Sequence, residues 1–143
     1  MSTADNVKVV KGNWDAINAH DVDALEKWEA PNFSVVAPGA PGPMNAAGNK
    51  AYLQGFISAF PDLHFDIVKT VAEGDNVVTE WVASGTHKGP LVSPSGQRIP
   101  PTGKKAQTHG SNTFEVKNGK VTSVRVYWDM MELLGQLGVM PPM

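Results

Sequence analysis

The sequence predicts an α+β fold in which a curved antiparallel sheet wraps around N-terminal helices. Three observations carry this. Helical periodicity dominates residues 4–59, alternating strand patterns dominate residues 63–128, and the strands are joined by turn signals rather than by helices. Helices first and strands second is the α+β order, not the βαβ alternation of a parallel sheet. Strands of about ten residues twist and curl, so helices packed on one face would leave an internal pocket between the layers.

The elements follow in order. Residues 4–19 form an amphipathic helix with Val7, Val10, Trp14 and Ile17 on one face. Asp21 caps a short helix over 22–29, with Leu25 and Trp28 on its inner side. Residues 33–36 make a short strand. APGAPGPMNAAGN (37–49) is too rich in Pro and Gly for regular structure. A helix over 47–59 carries Tyr52, Leu53, Phe56 and Ile57, and Pro61 ends it. LHFDIVKTVAEGD and NVVTEWVASGTHKG form a hairpin about Glu73-Gly74-Asp75. GPLVSPSGQRIPPTG (89–103) is a loop. KAQTHGSNTFEV and KVTSVRVYWD form a second hairpin about Lys117-Asn118-Gly119-Lys120, and MMELLGQLG is a closing helix.

The 143 residues, 41% apolar and 18% charged, suit one domain over 1–143 with a full core. A net charge of −2 provides no basic surface for a phosphate backbone, so nucleic acid is not an expected partner. With no cysteine there are no disulfides, thiolate metal sites or cysteine nucleophiles, which fits a cytoplasmic protein. The first twenty residues hold no apolar h-region, and no run of 18 apolar residues exists, so neither a secretory signal nor a membrane span is expected.

Strand parity sorts the residues that could do chemistry. Ser123, Arg125, Tyr127 and Asp129 share one face of the last strand, opposite Val124, Val126 and Trp128. Gln107, His109, Ser111 and Thr113 share a face, opposite Gly110, Asn112, Phe114 and Val116. Parity alone leaves open which face points inward. Asp129-Met130-Met131-Glu132 fits a capping box, so Asp129 reads as a helix cap. The alternative is a general acid/base, should its aromatic and Met neighbours surround it with apolar groups. The four histidines (His20, His64, His87, His109) form no H-x-H or H-x-x-x-H pair, so no metal site is expected. His87 and His109 fall near strand ends, where a pocket mouth would lie.

AFPDLHFDI (59–67), AEGDNVVTEW (72–81), SGTHKG (84–89), PPTGKK (100–105) and YWDMMELLGQLG (127–138), with AHDVDALEKWEAPNF (19–33), resemble the SnoaL-like polyketide cyclase family of the nuclear-transport-factor-2-like superfamily. The resemblance implies a cone-shaped α+β barrel with a deep apolar pocket. It also implies a homodimer paired through the outer sheet face, and closure of a ring by intramolecular aldol condensation on a small hydrophobic ketone or ester. The family works with no metal or organic cofactor and with one aspartate as general acid/base. The matching position is Asp129. His109 is carried over as a second catalytic candidate. His87, Arg125 and Tyr127 are carried over as polar binding candidates, and Trp14, Trp81, Tyr52 and Phe56 as apolar ones. A non-catalytic dimer holding a small hydrophobic ligand is the alternative on the same fold. An epoxide-hydrolase arrangement would need Arg125 and Asp129 in contact, yet four residues of one strand separate them by about 13 Å.

Overall fold

The computed structural model describes residues 2–92 and 96–139. Residues 93–95 of the expected 89–103 loop lie outside the described residues. Helix α1 (Thr3–Asn18) starts with a complete capping box, in which Ser2 and Asp5 satisfy each other's backbone N–H groups. The expected second helix is a 3₁₀ segment, Val22–Lys27, capped by Asp21. It stops short because Glu29 already belongs to strand β1 (Glu29–Val36). Helix α2 (Ala46–Ala59) is capped by Asn45. The long hairpins β2 (His64–Glu73) with β3 (Asn76–Thr86), and β6 (Lys105–Lys117) with β7 (Lys120–Trp128), lie where alternation predicts them. Between them, a two-residue pair, β4 (Leu91–Val92) and β5 (Arg98–Ile99), organises part of the Pro/Gly loop. Helix α3 (Met130–Leu137) follows β7. Asn118 and Gly119 both take positive φ (53° and 76°), the backbone that a two-residue hairpin turn requires.

The sheet runs in the order β1-β7-β6-β3-β2. It is antiparallel except at one edge, where β1 runs parallel to β7. The sheet is therefore mixed, and its edges β1 and β2 do not pair, so it curves without closing into the expected barrel. Alternation identifies the concave face. Val77, Thr79, Trp81 and Ala83 on β3 and Asn112, Phe114 and Val116 on β6 are buried, while Val78 and Glu80 are exposed. Helix α1 lies against this face and buries Val9, Val10, Trp14 and Ile17 there, with the polar Asn6 and Asn13 beside them.

Helix α3 completes the ladder of β6. Strand β7 pairs with β6 only as far as Gly110–Trp128, leaving residues 105–109 of β6 without a strand on that side. Side chains of α3 take its place. Gln136 accepts from the Gln107 N–H and donates to the Gln107 carbonyl, both at 2.7 Å, and Glu132 accepts from the His109 N–H at 3.0 Å. Backbone groups that would otherwise rely on solvent are thereby paired.

Gly110 permits the tightest crossing in the sheet. A Cβ there would lie 2.4 Å from the Trp81 ring and 2.6 Å from the Tyr127 carbonyl oxygen. Neither neighbour can yield readily, because the Trp81 indole is hydrogen-bonded to Asn112 and the carbonyl is backbone. Gly110→Ala is expected to lower the unfolding free energy by about 1–3 kcal/mol, the usual penalty for overpacking. Urea denaturation measures this, and an unchanged midpoint would show that the crossing has room to spare.

Candidate functional site

Sheet, α1 and α2 enclose a cavity of about 110 Å3. Its walls are Trp14 and Ile17 of α1, Tyr52, Leu53 and Phe56 of α2, and the inward residues of β1, β3, β6 and β7. Leu133 of α3 and Phe60, Leu63 and Phe65 complete it. Aromatic side chains form two groups. Trp14 packs against Phe65, Trp81 and Phe114, with ring centroids 5.0, 6.4 and 6.2 Å away. Phe56 stands edge-on to Tyr52 and Trp128 at 5.2 and 5.6 Å. These rings hold their polar tips in internal bonds. Trp14 Nε1 donates to Thr79 Oγ1 (3.1 Å), Trp81 Nε1 to Asn112 Oδ1 (2.9 Å) and Trp128 Nε1 to the Tyr52 hydroxyl (3.3 Å). The Tyr52 hydroxyl in turn donates to the Pro38 carbonyl at 2.8 Å.

Among the described residues, no Asp, Glu, Lys, Arg or His lines this cavity. Its polar side chains are Asn13, Asn49, Tyr52, Ser84, Thr108 and Asn112. Tyr52 is the titratable one, and burial pushes its pKa above the ordinary phenol value, offset in part by the Trp128 N–H. The phenol therefore stays neutral at physiological pH. Behind Asn49, whose Nδ2 donates to Oε2 at 3.4 Å, stands the half-buried Glu29. Desolvation raises the Glu29 pKa, the Asn49 hydrogen bond opposes the shift, and the Glu26 charge adds to it.

Four of the nine expected site residues meet at the cavity: Trp14, Tyr52, Phe56 and Trp81. The expected polar set lies elsewhere. Val124, Val126 and Trp128 are the cavity face of β7, so strict alternation turns Arg125 and Tyr127 outward. Both are exposed, Tyr127 by 59%. Asp129 continues that outward parity. It is exposed and caps α3, its Oδ1 accepting from the Met131 N–H (2.9 Å) and the Glu132 N–H (3.3 Å). The capping box is only half formed, because the Glu132 carboxylate is drawn to β6. There it meets exposed His109, whose Nδ1 lies 3.1 Å from Glu132 Oε1. His87 is fully buried but is not a cavity residue. It stacks on Phe60 at 5.3 Å, and its Nδ1 accepts from the Thr102 N–H, with Thr102 Oγ1 at 3.0 Å. Nδ1 acting as acceptor puts the proton on Nε2. Burial lowers the pKa of the ring, offset in part by the Gly89 backbone, yet Nε2 has no partner of good hydrogen-bond geometry. Together with its backbone bonds to Gly103 and Lys104, this makes His87 a fastener for the 102–104 turn.

The profile of the SnoaL-like polyketide cyclases matches residues 8–137. The chain belongs to this family. Solved structures agree in fold over nearly the whole length. AclR from Streptomyces galilaeus, a candidate hydroxylase, superposes with a TM-score of 0.85 at 24% identity, over 98% of this chain and 100% of its own. IdmH from Streptomyces antibioticus, a candidate polyketide cyclase, gives 0.80 at 27% identity, over 94% and 99%. A candidate polyketide cyclase from Acidithiobacillus ferrooxidans gives 0.79 at 26% identity, over 99% and 100%. No curated protein matches the chain. Among the described residues, no helix is long and apolar enough to cross a membrane.

Glu29 gives this SnoaL-like domain a pH dependence of definite sign. A folded-state pKa raised above the unfolded value means that the native state binds the proton more tightly. Stability is then fullest below the unfolded pKa and falls as pH rises through the raised folded value. Glu29→Gln removes the titration. Relative to wild type, the variant should gain stability between pH 4 and pH 7, measured by urea denaturation at both. A stability difference that does not change with pH would mean that Glu29 is not desolvated.

Proposed function

We propose that this SnoaL-like protein takes a small, uncharged, hydrophobic ketone or ester into the cavity and acts on it as a cyclase- or isomerase-type enzyme, with intramolecular aldol closure as the model reaction. The observation that carries the substrate class is the lining itself, which is aromatic and aliphatic with a few neutral polar groups. A charged ligand would lose its hydration there and find no counter-charge. Family membership supports the reaction type.

An aldol closure takes a proton from the carbon beside a carbonyl and returns one to the oxygen that becomes an alkoxide. A neutral phenol such as Tyr52 suits the second task, once its O–H turns from the Pro38 carbonyl to a developing oxyanion, and not the first. The base in this proposal is Asp129. In sequence it lies between two cavity residues, Trp128 and Leu133, at the N-terminus of α3. Its carboxylate would have to leave its cap bonds and turn inward to reach a substrate. The uncharged lining equally favours a second reading, a non-catalytic holder of the same class of molecule.

Asp129→Asn separates the two. Asn caps a helix as well as Asp does, so the fold should be kept. On 2,6-heptanedione and other neutral 1,5-diketones, the enzymatic reading expects ring closure by wild type and a loss of about 10²–10⁴-fold in the variant, with binding retained. Equal turnover by the two proteins removes Asp129 from the chemistry, and binding without turnover by wild type assigns the holder.

A further inference from the structure

We propose that Asn112 is the carbonyl-binding residue of the cavity and that Trp81 is its positioning residue, so that the molecule held there is recognised through a ketone or ester oxygen. This rests on the reading of the cavity as the site for an uncharged hydrophobic molecule.

The Trp81 indole fixes the orientation of the Asn112 amide. Its N–H can only donate, and it bonds Asn112 Oδ1 at 2.9 Å. That single bond decides which end of the carboxamide is which, because Oδ1 must face the indole. Nδ2, with two hydrogens, is left on the other side. Asn112 is 7% exposed and lines the cavity. Its Nδ2 makes no hydrogen bond with any described residue. Thr79, directly opposite in the β3–β6 register, already takes the indole N–H of Trp14. Val126, its partner on β7, offers no polar side chain.

The residue is nearly buried, but Nδ2 itself opens on the cavity, where a water can pair it until an acceptor on a ligand takes that place. The complement of that donor is an acceptor that carries no charge and brings apolar surface with it. A carbonyl oxygen on a hydrophobic skeleton meets both conditions. A carboxylate does not, since no cation lines the wall. Asn13 of α1 also lines the cavity and is likewise unbonded, but nothing fixes the orientation of its amide, so it can donate or accept and does not select a carbonyl.

The test compares 1-tetralone with tetralin, which share a skeleton and differ by the carbonyl. Calorimetric titration of wild type, Asn112→Leu and Trp81→Phe gives the ratio of the two affinities. The proposal expects the preference for the ketone to fall about five- to tenfold in Asn112→Leu, with tetralin still bound, and to fall by a smaller factor in Trp81→Phe, where the amide is free to rotate. The infrared C=O stretch of 13C-labelled 1-tetralone bound to wild type should lie below its value in cyclohexane. This reading needs no variant and decides the matter if Asn112→Leu does not fold. An unchanged ratio in a folded Asn112→Leu, or a bound carbonyl at its cyclohexane frequency, overturns the assignment of Asn112 while leaving the cavity reading standing. Failure of wild type to bind either compound overturns both.

Discussion

The seating of Trp14 on the concave face of the sheet is the contact on which the rest of the structure depends. One indole does two things there. Its rings fill the space between Phe65, Trp81 and Phe114, and its N–H reaches Thr79 Oγ1 in the middle of β3. Burial of an aromatic side chain contributes about 1.5–3 kcal/mol, and the buried hydrogen bond sets where along the sheet the helix must sit. Once α1 is seated, the same face cannot collapse onto itself. The remaining concavity, roofed by α2, becomes the cavity. Thr79 and Asn112 are direct neighbours across the β3–β6 ladder, and each is bonded to an indole. Two buried polar side chains of the core, Thr79 and Asn112, are thus each tied to a tryptophan.

The character of the site follows from strand parity. Strand β7 presents valines and Trp128 to the interior, and alternation then directs Arg125 and Tyr127 outward. Asp129 stays on the outer side because its Oδ1 is engaged with the first N–H groups of α3. Ionisable groups around the cavity are tied to other structure: Glu132 to His109 and the β6 backbone, Glu29 to Asn49, whose side chain lines the cavity. What faces the interior is neutral.

Much of this was legible in the sequence. The periodicity of Val10, Trp14 and Ile17 gave α1, the Asn118-Gly119 turn gave the β6–β7 hairpin, and alternation gave the position of the long strands. Two features were not. The parallel pairing of β1 with β7 joins segments some ninety residues apart, and nothing local encodes it. The inward face of β7 was undecided, since an apolar and a half-polar face can each point either way. A signal for the missed cavity residues was nonetheless present. Asn112 shares parity with Phe114 and Val116, and Asn13 falls on the helix face of Val10 and Ile17. A carboxamide on an otherwise buried apolar face is the pattern to look for, because its burial needs a partner. The Asp129 capping box was also readable, although its Glu132 is diverted by the open ladder of β6, a tertiary effect.

The central claim is that the cavity receives an uncharged hydrophobic molecule. Three of the four tryptophans, Trp14, Trp81 and Trp128, line it, so their fluorescence reports its occupancy. Titration with methyl 1-naphthoate and with 1-naphthoate, which share a ring system and differ in charge, is the most direct measurement. The account predicts saturable quenching by the ester and binding of the carboxylate weaker by about tenfold or more, the desolvation cost of a charge with no partner. Equal affinity for the two, or no saturable quenching by the ester, would contradict it.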